Sequence, residues 1–195
     1  MLKQSVNQNQ FLNRSFQDPA EIIVLSETTD TVMSIQEAHD LVRSQDDINT
    51  PYLRDLISGI TRLVENARGE AITSKVYRAI YYSVFDGILL ANAPIVSIDS
   101  VVTLEQGVST AISSDDYFLQ GIATKAVVFK NPLTDAIVQV DYTAGYTTVP
   151  ADLKALIKSE LQFMFKEKTS SMEFMNYLSK MKKKAQGTAP QLYSI

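Results

Sequence analysis

His39 is the only histidine in the chain, so it is the first candidate for acid–base or nucleophilic chemistry. An imidazole can relay protons near neutral pH, but Ser–His–acid catalysis also needs a serine presented in a shaped turn. The sequence contains no G-x-S-x-G motif and no cysteine that could replace such a serine. We therefore predict that His39 is a surface residue of a helix and that the chain is not an enzyme.

Two acidic groups could be cation ligands: Asp46, Asp47 and Asn49 form one, and Asp115 and Asp116 form the other. Neither group has the ligand spacing or the closing glutamate of an EF-hand calcium loop. The chain also lacks the glycine-rich phosphate-binding patterns G-x-x-x-x-G-K-[ST] and G-x-G-x-x-G. We interpret these residues as turn and capping residues, and we predict neither a metal site nor a cofactor.

Four lysines are concentrated near the C-terminus, namely Lys180, Lys182, Lys183 and Lys184. Positive charge suits the end of a helix, so a solvated helix terminus is one interpretation. The other interpretation is an electrostatic contact with an acidic protein surface or with DNA. The tail that follows contains Leu192, Tyr193 and Ile195, which could anchor it.

Four aromatic residues lie within nine positions: Tyr77, Tyr81, Tyr82 and Phe85. Such a set is more typical of core or interface packing than of a ligand site. Because the strand that carries them has apolar residues on both faces, one small sheet cannot easily bury them all. We therefore predict that part of the set belongs to an intersubunit interface.

The composition is that of a single domain with one sizeable core. The chain has 195 residues, is 45% hydrophobic and carries a net charge of −4 with a pI near 5.0. This acidity argues against a protein that coats nucleic acid. The start, MLKQSVNQNQ, lacks the apolar region of a secretory signal, and no apolar run approaches the roughly 20 residues that span a bilayer. We expect no membrane association.

Apolar periodicity divides the chain into three parts. Residues 1–20 form a polar arm, residues 21–169 a central domain, and residues 170–195 a C-terminal helix and tail. Within the central domain the pattern predicts helices at about 34–43, 50–68 and 150–168, and a β region at about 72–142.

Local signals mark the ends of these helices. Ser34 with Glu37 three residues later predicts a capping box at the first helix. Thr50 followed by Pro51 predicts the cap and first residue of the second helix, and Gly69 predicts its end.

Strands are predicted on both sides of the first two helices. Glu21–Leu25 is a short candidate before them. In the β region, Lys125–Phe129 and Ile137–Tyr142 are predicted to pair around the turn between them.

The most informative stretch is Ile137–Lys168, which changes from strand to helix. Alternating apolar residues end at Gly145, which predicts a turn or bulge. Pro150 then starts a helix, and Asp152 in its first turn suits the helix dipole. Apolar residues at spacings of three and four continue the helix.

This stretch resembles the closing segment of the head–tail connector proteins, or neck adaptors, of tailed bacteriophages. The matching residues are Val138, Val140, Tyr142, Thr143, Ala144, Gly145, Tyr146, Val149, Pro150, Ala151, Asp152, Leu153 and Lys154. Residues 32–43 (VMSIQEAHDLVR) resemble the opening of the same family, and residues 94–101 (PIVSIDSV) resemble one of its strands. The resemblance covers Val24 to Lys168. It departs from the family at residues 163–168, where the usual aromatic pair with Glu-Asn or Glu-Arg is absent.

The resemblance implies an α+β protein that is mainly a helical bundle, with a β region inserted between the second and third helices. It implies a structural role in the virion neck, in a ring expected to be dodecameric. That ring would dock under the portal, extend the channel for passing double-stranded DNA without sequence specificity, and carry stopper or tail proteins. The lysine group and the C-terminal tail would contact the portal or DNA. Such a protein would be made in the host cytoplasm.

Other functions stay open at this point. A tail-completion or stopper protein of the same neck would share the setting, although stoppers resemble mostly β proteins. A soluble monomeric binding module and an enzyme of unknown type are the alternatives from other classes.

Overall fold

Four α-helices and nine strands make up the part of the chain that the computed structural model describes. These are residues 16–27, 32–44, 47–121 and 125–187, without the side chains of Asp47 and residues 184–187. Helices and strands contribute about equally. The expectation of a mainly helical bundle is therefore wrong: the strands form two sheets of their own, with their own core.

The elements follow one another in a simple order. The helices are α1 (Ile35–Val42), α2 (Thr50–Arg68), α3 (Ala151–Glu167) and α4 (Met172–Gly187). The strands are β1 (Phe16–Gln17), β2 (Glu21–Glu27), β3 (Lys75–Val84), β4 (Gly87–Leu89), β5 (Ile95–Glu105), β6 (Val108–Ala111), β7 (Tyr117–Gln120), β8 (Ala126–Phe129) and β9 (Ala136–Ala144). Seven of the described strands thus lie between α2 and α3, and two precede α1.

The larger sheet is antiparallel and has the order β2-β3-β9-β5-β6. Alternation along β3 places Tyr77, Ala79 and Tyr81 on its buried face, as a period of two requires. On the opposite face Arg78 reaches across to Asp141 of β9, with N–O distances of 2.8 and 2.7 Å. This bidentate pair joins the two strands beside the core.

The smaller sheet has the order β1-β4-β8-β7 and packs on the larger one. The predicted pairing of Lys125–Phe129 with Ile137–Tyr142 is wrong, because β8 pairs with β4 and β7, whereas β9 pairs with β3 and β5. All four residues of β8 are buried, so the strand shows no alternation that would assign it to a sheet. The connection to β9 crosses between sheets and does not form a hairpin.

The core between the sheets contains large tyrosines whose hydroxyls are satisfied. Tyr77 and Tyr142 stack with ring centroids 5.5 Å apart. The hydroxyl of Tyr81 donates to the Leu89 carbonyl at 2.7 Å, and that of Tyr142 donates to the Ala91 carbonyl at 3.2 Å. These bonds explain how tyrosine can fill an interior that would otherwise favour apolar residues.

A second core lies among the four helices. The buried residues of α2, α3 and α4 follow helical spacing and face one another; they are Leu53, Ile57, Ile60, Val64, Leu153, Ile157, Leu161, Phe174 and Leu178. The three predicted helices of the central domain are therefore present, with ends displaced by at most one residue. The predicted division into an arm, a central domain and a C-terminal part stays a prediction, and most of the arm lies outside the described residues.

The helix ends follow most of their predicted signals. The Ser34 hydroxyl accepts from the Glu37 backbone N–H at 3.1 Å, which is one half of the predicted capping box, whereas the Glu37 carboxylate pairs with Lys154 and Lys158. Gly69 ends α2 with φ of 66°. Thr50 is itself the first residue of α2, and its hydroxyl does not cap the helix. That hydroxyl contacts His39 at 2.8 Å instead, which corrects the predicted cap.

The two cores meet through β9 and α3. Gly145 has φ of 124°, and a Cβ at this position would collide with the Thr73 backbone, so only glycine allows this close approach. Pro150 then precedes α3 directly. The predicted change from strand to turn to helix is confirmed. None of the helices in the described residues is long and apolar enough to cross a membrane.

Candidate assembly surfaces

Strand β2 forms an apolar edge of the larger sheet. It pairs with β3 on one side, and no strand of the described residues pairs with its other side. Its four consecutive apolar residues, Ile22, Ile23, Val24 and Leu25, are each between 40% and 48% exposed. Adjacent residues of a strand point to opposite faces, so both faces of this edge contact solvent.

The opposite side of the protein carries the other edges of both sheets. Strand β6 ends the larger sheet and β7 ends the smaller one. Val108 of β6 is 65% exposed, and Phe118 and Leu119 of β7 are also exposed. Unpaired strand edges with apolar side chains are surfaces on which another chain can pair.

The predicted aromatic interface set is divided between the core and the surface. Tyr77 and Tyr81 are buried inside the protomer, where burial raises the pKa of both phenols above its ordinary value. Tyr82 and Phe85 are exposed. The Tyr82 hydroxyl lies 3.5 Å from the Glu21 carboxylate, at the start of β2. The interface assignment stays a prediction, and accessibility limits it to Tyr82 and Phe85.

The predicted lysine group lies at the end of α4. Lys180, Lys182 and Lys183 are exposed, and no ion pair with a described carboxylate holds them. Phe174 and Leu178 bury the opposite face of α4 against the helical core. The lysines can therefore reach a partner without disturbing the fold. The Lys184 side chain, and Leu192, Tyr193 and Ile195, lie outside the described residues.

A buried carboxylate joins the helical core to the sheets. Glu65, in the last turns of α2, accepts from the Ile72 backbone N–H at 2.9 Å and from the Lys75 ammonium at 2.7 Å. A neighbouring network connects Arg68 to Glu70 at 2.8 Å and to the Tyr177 hydroxyl at 3.0 Å. These contacts connect α2 to β3 and to α4. They therefore fix the position of the larger sheet relative to α4.

Two concave surfaces flank the helices. A cleft of about 460 Å³ beside Glu65 carries both signs of charge, and a wider groove of about 860 Å³ separates the end of α1 from α3 and α4. The cleft includes Arg54, Arg62, Lys75, Glu27 and Asp55, so it does not favour one sign of ligand charge. Neither surface has a signal in the sequence.

The candidates for chemistry have structural roles. His39 is half-buried, with Nδ1 3.2 Å from the Ser44 carbonyl and Nε2 2.8 Å from the Thr50 hydroxyl, so it links α1 to α2. Ser113 caps the turn that contains Asp115 and Asp116. Asp46 lies outside the described residues. Across the described parts of the chain, no three histidine or acidic residues converge on a metal position.

Sequence reasoning missed two buried carboxylates. Glu160 of α3 accepts from the Ser171 backbone N–H at 3.1 Å and from its hydroxyl at 2.6 Å, which fixes the start of α4. Glu65 has the junction role described above. A signal exists for both, because each glutamate falls among the apolar positions of its helix.

The fold is shared with chains of gene transfer agent (GTA) particles. A chain from the neck of an empty GTA particle, computed with C6 symmetry, has a TM-score of 0.68 and 16% identity, covering 83% of this chain and 94% of its own. A chain from the virion of a native GTA particle has a TM-score of 0.61 and 17% identity, and one from a native GTA neck computed with C12 symmetry has 0.59 and 20%. Each of these two covers 82% of this chain and 94% of its own.

No protein-family model matches the chain, and no curated protein matches it. The likeness is therefore one of architecture. It includes parts of both the sheets and the helices, because it spans 82% or 83% of this chain.

Proposed function

We propose that the chain is a structural protein of the neck of a tailed phage or phage-like particle. The observation that carries this proposal is the shared fold, which spans 94% of chains from GTA necks. The resemblance of Ile137–Lys168 to neck adaptors supports it independently, since that comparison uses residues and not backbone shape. The proposed role is assembly, without a chemical reaction.

Within the neck, the proposed position is the head–tail adaptor. Copies of the chain form a ring, expected to contain twelve subunits, that docks under the portal and extends the DNA channel. The ring carries the stopper or tail proteins on its other side. The GTA necks were computed with C6 and C12 symmetry, and both are symmetries of closed rings of subunits. This supports a ring for the present chain.

The exposed lysines of α4 provide the proposed contact with the portal or DNA. Lys180, Lys182 and Lys183 project from a helix whose other face is fixed in the core, so they present charge on a rigid support. Tyr82 and Phe85 are the proposed aromatic contacts between subunits. The rest of the chain has an excess of acidic residues, which gives the whole protein a net charge of −4 and limits nonspecific adhesion to passing DNA.

A stopper or tail-completion protein is the second candidate. The two-sheet core favours it, because stoppers resemble mostly β proteins and this chain contains more strand than an adaptor bundle was expected to have. A monomeric binding module is the third candidate, and it predicts no ring at all.

Binding to purified portal rings separates these candidates. We would mix the full chain with portal rings, with portal rings that already carry an adaptor, with preassembled tails and with none of these, and measure native mass and negative-stain images. An adaptor binds the portal directly and forms a ring on it. A stopper binds only after an adaptor is present, and a monomeric module forms no ring in any mixture.

A further inference from the structure

We infer that the β2 edge of one copy pairs with the β6 edge of the next copy. The inference rests on the proposed ring, and it names the surfaces that would close it. It begins from the arrangement of edges. β2 and β6 are the two edge strands of the larger sheet, at opposite ends of the order β2-β3-β9-β5-β6.

The β2 edge has the chemistry of a surface that is covered in the assembled state. An unpaired strand presents free N–H and C=O groups, and monomeric proteins protect such edges with lysine, proline or very short strands. β2 has seven residues and contains no lysine or proline; its two glutamates lie at its ends, its irregular register falls between Val24 and Ser26, and the four residues between the first glutamate and Ser26 carry no charge. Its four apolar side chains are exposed on both faces, which a soluble monomer would rarely tolerate.

The β6 side offers a matching surface. β6 is also unpaired on its outer side among the described residues, and none of its four residues is buried. Phe118 and Leu119 of β7 add exposed apolar area next to this edge.

In a cyclic ring, the surface that covers the β2 edge belongs to a second copy of the same chain. In a ring of more than two copies, every subunit meets its two neighbours through two different surfaces. A β2–β2 contact would close a dimer and leave every β6 edge open. A β2–β6 contact leaves neither edge of the larger sheet open once the ring has closed.

Cysteine cross-linking tests the contact without background, because the chain has no cysteine. We would prepare full-length Ile23→Cys, Ser109→Cys and the double variant, and treat each at high concentration with a short bismaleimide. The double variant should give a ladder of covalent multimers. A mixture of the two single variants should stop at dimers, and each single variant alone should stay uncrosslinked.

Three outcomes would overturn the inference. Dimers from Ile23→Cys alone would show β2–β2 pairing, and absence of any cross-link in the double variant would show that the edges do not meet. A further double variant, Phe11→Cys with Ile23→Cys, places one cysteine in the predicted N-terminal arm (residues 1–20). Cross-linking of this variant, with none in the variant that carries Ser109→Cys, would assign the β2 edge to the arm. If rings form and enter particles without the β2–β6 cross-link, the inference fails while the proposed neck function stands.

A matched pair of charge variants provides a second measurement. Val24 and Leu63 are each 43% exposed, but Val24 lies on the β2 edge and Leu63 on α2. Val24→Lys should raise the concentration for half-assembly by about tenfold or more, because a lysine at a covered edge loses its water. Leu63→Lys should leave that concentration unchanged. If Val24→Lys and Leu63→Lys both keep the wild-type circular dichroism spectrum and change the concentration for half-assembly equally, the inference would also be overturned.

Discussion

The ammonium of Lys75 lies 2.7 Å from the carboxylate of Glu65, and this contact joins the first strand after α2 to α2 itself. Both side chains are nearly buried, at 12% and 10% exposure. The same carboxylate accepts the Ile72 backbone N–H. One glutamate therefore stabilises the connection through which the helical core and the sheets keep a fixed relationship.

Replacing this glutamate should destabilise the whole protein. Glu65→Ala leaves the Lys75 ammonium with only Glu27, at 3.6 Å, and leaves the Ile72 N–H without its acceptor. Breaking a buried ion pair from one side costs about 3 kcal/mol of unfolding free energy. Urea unfolding followed by circular dichroism measures this loss.

A surface glutamate provides the control for that experiment. Glu167 pairs with Lys166 at 3.3 Å, but the lysine is largely exposed. Glu167→Ala should change the free energy of unfolding by less than about 1 kcal/mol, as exposed pairs usually do. Similar losses in both variants would contradict the junction role of Glu65.

The helical core should not tolerate a charge. Ile57 is buried between α2 and its neighbours, whereas the adjacent Ser58 is exposed. Ile57→Asp should abolish cooperative unfolding or lower stability by several kcal/mol, because a buried unpaired carboxylate is strongly disfavoured. Ser58→Asp should behave like the wild type. Soluble, cooperatively folded Ile57→Asp protein would show that α2 does not form the core.

Alkaline pH should destabilise the sheets through their tyrosines. Burial raises the pKa of Tyr142 from 10 to about 12, so the folded state keeps a neutral phenol where the unfolded chain is ionised. The stabilisation is complete below pH 10 and is lost as the pH rises toward 12, by about 2 kcal/mol for this residue. Unfolding free energies across this range measure the slope.

A phenylalanine variant tests the contribution of Tyr142 to that slope. Tyr142→Phe should reduce the loss of stability with pH without abolishing it, since the buried phenols of Tyr77 and Tyr81 also have raised pKa values and remain in place. A wild-type slope in Tyr142→Phe would mean that other groups control the alkaline transition.

Reversing the charge of the lysine group should separate folding from docking. Replacing Lys182, Lys183 and Lys184 by Glu should leave the free energy of unfolding close to that of the wild type, because the first two side chains are exposed. Binding to purified portal rings should weaken, and the difference should shrink at high salt. Unchanged binding would assign the lysines to a solvated helix end.

The helices were predictable because their signals are local. Apolar spacing in α2, the Ser34 cap and the stop at Gly69 each depend on residues within a few positions. The turn at Gly145 was predictable for the same reason. His39 was expected at a surface, but its bond to Thr50 spans eleven positions, and no local pattern shows it.

The sheets were harder to predict. Pairing partners are distant in sequence, and β8 gives no alternation because all four of its residues are buried. Several strands, such as β1 and β4, have only two or three residues, too few for periodicity. The resemblance to adaptors predicts a mainly helical protein, whereas the segment between α2 and α3 contains seven strands, most of them within the β region predicted at about 72–142.

Among the candidate surfaces, too, only those with a local signal were predictable from the sequence. The lysine group was visible as a run of like charge, and its exposure on α4 agrees with that pattern. The aromatic set could not be divided from sequence, because only the position of the second sheet determines that Tyr81 is buried while Tyr82 is exposed.

Locating the chain in intact particles tests the central claim most directly. We would purify particles from a producing culture, label them with an antibody against the chain, and image them by electron microscopy. We expect label only at the junction of head and tail, and cryo-electron microscopy of that junction should show a ring of copies. Label along the tail, on the head surface, or on no particle would contradict a structural role in the neck.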